Sequence, residues 1–116
     1  KALRRGEAVG LLPDQVPPEG MGIWSRMWQQ PAYTMTLAAR LAMQTDAQIL
    51  LAWGERLPGG SGYCIHVQPM ADPLSDDLET AVLQINQALE ALIRQRPEQY
   101  LWGYARFKQP RQEVWA

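Results

Sequence analysis

The chain has 116 residues, of which 47% are hydrophobic and 20% charged, with a formal net charge of −1. That length holds one small domain, and the composition is that of a globular chain, not a disordered one. The near-neutral charge gives no bulk attraction to nucleic acid, so none is expected as a partner. The single cysteine, Cys64, excludes an internal disulfide and a multi-cysteine zinc site, and no apolar run approaches the roughly 20 residues of a membrane span.

Lys1-Ala2-Leu3-Arg4-Arg5-Gly6 reads as the end of a helix, with basic residues in the last turn and a glycine stop, so the chain is expected to be a fragment. The apolar run Ala8-Val9-Gly10-Leu11-Leu12, closed by Pro13, predicts a buried strand. Asp14 and Gln15 would then stand just past its C-terminal end. Residues 16–30 carry Pro17, Pro18, Gly20 and Gly22 and predict an ordered but irregular excursion. Pro31 suits a first helical position, and Tyr33, Leu37, Arg40 and Leu41 follow at helical spacing.

Strands are predicted over residues 49–53 and 62–68, joined by Leu57-Pro58-Gly59-Gly60-Ser61 and therefore paired antiparallel. Ser75 or Asp76 is expected to cap the longest helix. Its apolar stripe is Leu78, Val82, Ile85, Leu89, Leu92 and Ile93, and Arg94 and Arg96 close it before Pro97. The expected class is α/β, with element order β-α-β-β-α, a fragment of a larger sheet layered with helices. The first strand–helix–strand would be a right-handed parallel crossover.

Few residues offer chemistry. The one histidine, His66, lies in a strand of alternating character and is expected to be structural or partly exposed. Cys64, in the same apolar run, is expected to be buried and inert. Asp14 is the sharper candidate, because ligands of open α/β sheets gather at strand carboxyl ends. The competing reading is an aspartate that only turns the chain after Pro13. Arg106, Lys108 and Arg111, flanked by Tyr104, Phe107 and Trp115, suit an anionic membrane surface or a phosphorylated ligand, against the plainer reading of a solvated basic tail. No glycine-rich phosphate loop, metal-ligand cluster or Ser-His-Asp arrangement occurs, so neither metal nor cofactor is expected.

Pro97-Glu98-Gln99-Tyr100-Leu101-Trp102-Gly103-Tyr104-Ala105-Arg106-Phe107-Lys108 resembles the C-terminal signature of the bacterial lipid A biosynthesis acyltransferases, the lauroyl/myristoyl transferase family. Leu11-Leu12-Pro13-Asp14-Gln15, Pro31-Ala32-Tyr33-Thr34, the hairpin and the long helix with Ile85-Asn86 resemble further family blocks in the right order. Gly103 departs from a block that often carries histidine, and Met27-Trp28-Gln29 stands where Phe-Phe-Gly is common.

The resemblance implies that residues 1–116 are the C-terminal part of a single acyltransferase domain whose catalytic N-terminal part lies outside the chain. The family's base sits in a His-x4-Asp/Glu motif. Here the fifth residue after His66 is Ala71 and Asp72 comes one later, so no catalytic residue is expected. By the same resemblance, the intact protein would move a fatty acyl group from acyl carrier protein to a glycolipid acceptor, a lipid A precursor. It would do so without a cofactor, at the cytoplasmic face of the inner membrane. Asp14 and Gln15 would lie beside the active site, and Arg106 and Lys108 would meet substrate or membrane surface. Trp24, Met27 and Trp28 would line an acyl-chain path or else pack in the core. The fragment itself is expected to be inactive and to self-associate through uncovered apolar faces. The rival readings are a non-catalytic α/β module that binds a partner or membrane, and a related acyltransferase with another acceptor.

Overall fold

The structure is a computed structural model that describes residues 1–112. Its elements in chain order are β1 (Gly22–Met27), β2 (Gln30–Met35), α1 (Leu37–Thr45), β3 (Leu50–Arg56), β4 (Tyr63–Pro69) and α2 (Leu78–Gln95). The strands form two separate antiparallel pairs, β1 with β2 and β3 with β4. The class is α/β, as expected, but the order is β-β-α-β-β-α.

The helix α2 organises the core. Its N-cap is Asp77, one residue beyond the expected Ser75 or Asp76, and the Asp77 carboxylate accepts from the Thr80 backbone N–H at 3.1 Å and the Thr80 hydroxyl at 2.7 Å. Those two bonds hold the Asp77 carboxyl below its ordinary range. Ser75 supports the cap by accepting from the Asp77 N–H. Val82, Ile85, Leu92 and Ile93 are buried along the expected stripe, with Leu78 and Leu89 half-buried beside them. Toward its N-terminal half α2 packs Ala81, Val82 and Ile85 on Ala39 of α1; further along, Ile93 meets Met27 and Ala32 of the first hairpin. Small alanines at the α1 contact allow the two helices to approach closely.

The hairpin β3–β4 pairs antiparallel as expected, in a register that sets Trp53 opposite His66 and Ala52 opposite Val67. Its link is a tight turn over Pro58–Gly60 in which Gly59 and Gly60 adopt φ of 66° and 71°. Among the described residues nothing covers one face of this hairpin: Leu50, Tyr63, Ile65 and Val67 are 56%, 74%, 70% and 58% exposed. Cys64 is also exposed, not buried as expected, because β4 pairs only with β3 and no layer packs over it.

The N-terminal third departs most from expectation. Residues 8–12 form no strand. An apolar run becomes a strand only when a neighbouring backbone pairs with it, and this run pairs with none of the described strands. The parallel crossover that depended on it is therefore not formed. The segment read as an irregular excursion contains β1, and the segment read as a helix from Pro31 is β2, paired so that Pro31 faces Arg26. Helix α1 begins only at Leu37. Proline fixes φ near a value that extended backbone also adopts, and the residues that follow, Tyr33 and Thr34, favour the pleated surface.

The turn between β1 and β2 is Trp28-Gln29, both in the left-handed region at φ 52° and 64°, the signature of a type I′ hairpin turn. Neither residue is a usual occupant, and tertiary contacts hold the pair. The Trp28 N–H donates to Glu90 Oε1 at 2.6 Å, and the Arg94 guanidinium lies 5.2 Å from the Trp28 ring.

Gly22 sits where β1 meets the preceding loop. A methyl there would lie 2.5 Å from the Thr34 carbonyl oxygen and 2.8 Å from Pro17 Cγ. Gly22→Ala is expected to destabilise the chain by about 1–3 kcal/mol through overpacking, read as a lower urea midpoint at unchanged m-value. Wild-type stability in that variant would show that the loop can yield.

Candidate functional site

Residues 11–14, β3, the last turns of α2 and the short turn Pro97–Gln99 enclose a groove of about 230 Å³. Its apolar wall includes Leu12, Trp53, Leu89, Leu92 and Ile93, and its polar members are Asp14, Arg96, Gln99 and Tyr100. A second groove of about 390 Å³ shares Leu11, Pro13, Ala52 and Leu89 with it and runs toward Leu41, Leu50 and Val67. Together they are an aliphatic trough with polar groups at one end.

Asp14 stands at that polar end. It lies in a turn and not at the end of a strand, and what fixes it is a hydrogen bond that the Tyr100 hydroxyl donates to Oδ2 at 3.0 Å. Burial, then the charge and hydrogen bond of Asp14, push the Tyr100 hydroxyl up to about 12. Gln15 is exposed beside it. The next residue is held as well: the Val16 N–H donates to the Tyr104 hydroxyl oxygen at 2.7 Å.

The two basic residues expected to share one surface part company. Arg106 is buried, at 5% exposure, and donates from Nη1 to the Tyr33 carbonyl and from Nη2 to Thr34 Oγ1, both at 2.8 Å. Burial lowers its pKa, while the negative charge of Asp14 is among the groups opposing that shift. Lys108 is exposed, with Nζ 5.1 Å from the Tyr104 ring, and Arg111 is exposed nearby in sequence. Trp115 lies outside the described residues. The basic surface is thus Lys108 and Arg111 without Arg106.

Thr34 and Asn86 entered the sequence reading only as members of family-like blocks, and their buried hydrogen bonds were not foreseen. Asn86 is fully buried on α2 and donates from Nδ2 to the Arg26 carbonyl and to Thr34 Oγ1, each at 3.1 Å. The signal was present: Asn86 follows Ile85 directly on a helix whose apolar stripe it interrupts. Of the three residues expected to line an acyl-chain path or pack in the core, Met27 is core at 1% exposure, Trp28 is half-buried and Trp24 is 49% exposed, its ring edge on Tyr33.

His66 has a structural setting, as expected. Its ring stacks on Trp53 at 4.6 Å, and Nε2 donates to Glu55 Oε1 at 2.9 Å. Arg96 Nε donates to the other Glu55 oxygen at 3.2 Å. The His66 hydrogen bond first, and Arg96 after it, hold the Glu55 carboxyl below its usual range against some burial. Among the described residues no group of three or more His, Cys, Asp or Glu is placed to hold a metal, and no helix is long and apolar enough to cross a membrane.

Residues 1–109 match the family model described as bacterial lipid A biosynthesis acyltransferase. The chain belongs to that family. It is similar to the lipid A biosynthesis lauroyltransferase of Escherichia coli (strain K12), 34% identical over 110 residues, covering 93% of this chain and 36% of that protein. It is 31% identical over 108 residues to the lipid A biosynthesis palmitoleoyltransferase of the same organism and to a lipid A biosynthesis acyltransferase of Shigella flexneri, covering 92% of this chain and 35% of each relative. The chain therefore spans about a third of the length of the curated relatives it matches.

The raised Tyr100 pKa carries a stability consequence. The hydroxyl ionises near 10 when unfolded and at about 12 when folded, so its contribution is complete below pH 10 and lost as pH rises through 12. Tyrosinate absorbance should show a late Tyr100 step near 12, and Asp14→Asn should bring that step down in pH. An unchanged titration in Asp14→Asn would dissolve the coupling.

Proposed function

We propose that the chain is the C-terminal part of a longer acyltransferase of lipid A biosynthesis, with the His-x4-Asp/Glu motif carried by the remainder. In this reading the intact enzyme takes a fatty acyl group from acyl carrier protein and passes it to a hydroxyl of a glycolipid acceptor at the cytoplasmic face of the inner membrane. The motif's imidazole would take the proton from the acceptor hydroxyl, whose oxygen attacks the thioester carbon; the thiolate of the carrier leaves.

The supporting observation is the Asp14 carboxylate beside an aliphatic trough. A carboxylate at such a mouth accepts hydrogen bonds from sugar hydroxyls or amides, and the exposed Gln15 adds a second polar contact. Leu89, Leu92, Ile93 and Trp53 offer a wall that suits hydrocarbon. Lys108 with Arg111 would meet phosphate, on the acceptor or among headgroups. The part of Arg106 is indirect: its guanidinium is spent on the frame that presents these groups.

Acyl transfer measured on the complete protein tests this. Asp14→Asn is expected to lower kcat/KM for the acceptor at least about tenfold, the scale of losing a hydrogen bond to a charged group. Near-normal turnover would sink the reading. The 116-residue chain alone is expected to transfer nothing, so measurable transfer by it would overturn the division of labour.

The uncovered β3–β4 face bears on how the chain behaves in isolation. Leu50, Tyr63, Ile65 and Val67 present a contiguous apolar surface beside the unpaired outer edges of a two-stranded sheet. Light scattering of the isolated chain should show concentration-dependent self-association, and Ile65→Lys should reduce it. A monodisperse wild-type monomer at high concentration would contradict the expectation.

A further inference from the structure

We propose that Tyr100 and Tyr104 are positioning residues for acyl transfer: together they hold the Asp14-Gln15-Val16 turn in the geometry that meets the acceptor. The inference rests on the reading of Asp14 given above and adds what sets its position. Residues 7–17 have no helix or strand of their own, so backbone pairing does not place Asp14. Two tyrosine hydroxyls do so from the far end of the sequence. Tyr100 donates to Asp14 Oδ2 at 3.0 Å, and two residues further on the Val16 N–H donates to Tyr104 at 2.7 Å.

The tyrosines are themselves fixed. Successive tight turns run through the block, with Trp102 N–H donating to the Tyr100 carbonyl and Arg106 N–H to the Tyr104 carbonyl, both at 2.9 Å. The Tyr100 ring packs against the Met27, Ala32 and Ile93 cluster and stands edge-on to Trp102 at 4.9 Å. Arg106 then anchors the end of the block into β2. A hydroxyl so held leaves one carboxylate oxygen of Asp14 occupied. Oδ1 accepts no hydrogen bond from the described side chains or backbone, which leaves it to a ligand. Since Tyr100 stays protonated up to about 12, it remains a donor across the physiological range.

The test is a kinetic double-mutant cycle on the complete enzyme. Tyr100→Phe removes one oxygen and keeps the ring. It is expected to raise the acceptor KM roughly five- to tenfold while the KM for acyl carrier protein donor stays within twofold. In an Asp14→Asn background the same change should add nothing, because the two residues act as a unit. If Asp14→Asn is itself normal, the reading of the site falls and this inference with it. If Asp14→Asn is impaired while Tyr100→Phe is normal, or the two effects multiply, the positioning role alone is overturned. Should Tyr100→Phe fail to fold, Tyr104→Phe takes its place. A rise confined to the acceptor KM supports the role, and parallel loss toward donor and acceptor rejects it.

Discussion

The structure depends on one buried hydroxyl. Thr34 Oγ1 donates to the Ala32 carbonyl at 3.0 Å and accepts from Asn86 Nδ2 at 3.1 Å and Arg106 Nη2 at 2.8 Å. Three parts of the chain, β2, α2 and the C-terminal block, meet at that atom. A guanidinium withdrawn from water must find fixed dipoles or opposite charge, and here it finds two neutral oxygens with the Asp14 carboxylate acting through space. Because a planar fork accepts only a narrow geometry, the register of β2, the rotation of α2 and the course of the tail are set together.

The same economy explains how an uncommon turn survives. Trp28 and Gln29 occupy the left-handed region at a cost of roughly 1–2 kcal/mol each for residues with a side chain. The Glu90 carboxylate, the Arg94 cation and the Trp102 ring, 6.0 Å away, all converge on Trp28. The first hairpin is thus shaped by α2 and the tail as much as by its own residues. The tail in turn reaches back to Asp14. Within the C-terminal block Tyr100, Tyr104 and Arg106 are inward-facing ties, while Leu101, Trp102, Phe107 and Lys108 are turned to solvent.

What the sequence disclosed follows from this. Helix α2 and the hairpin β3–β4 were legible because their signals are local: a continuous 3.6-residue stripe in one case, two apolar runs about a Pro-Gly-Gly turn in the other. The first hairpin was illegible because its turn carries neither glycine nor asparagine, and because Pro31 fits a helix start and an extended strand equally. Residues 8–12 read as a strand on composition, yet strand formation needs a partner that no single segment reveals. Asp14 does not stand at a strand end, because residues 8–12 form no strand; it lies at a groove, where a tyrosine positions it. Arg106 was read as surface because basic residues usually are. Its acceptors, Thr34 and the Tyr33 carbonyl, lie more than 70 residues away.

The long span of these ties has a consequence for biosynthesis. Tyr100 and Asp14 are 86 residues apart in sequence, and Tyr104 and Val16 are 88 apart. A chain emerging from the ribosome is made in N-to-C order, so the Asp14 turn precedes both of its fastenings by more than eighty residues. At a translation rate of about 5–20 residues per second that interval is roughly 4–17 s, through which the turn has neither hydroxyl to hold it. A truncation just before Pro97 would keep α2 and both hairpins yet lose both tyrosine hydroxyls that hold the turn.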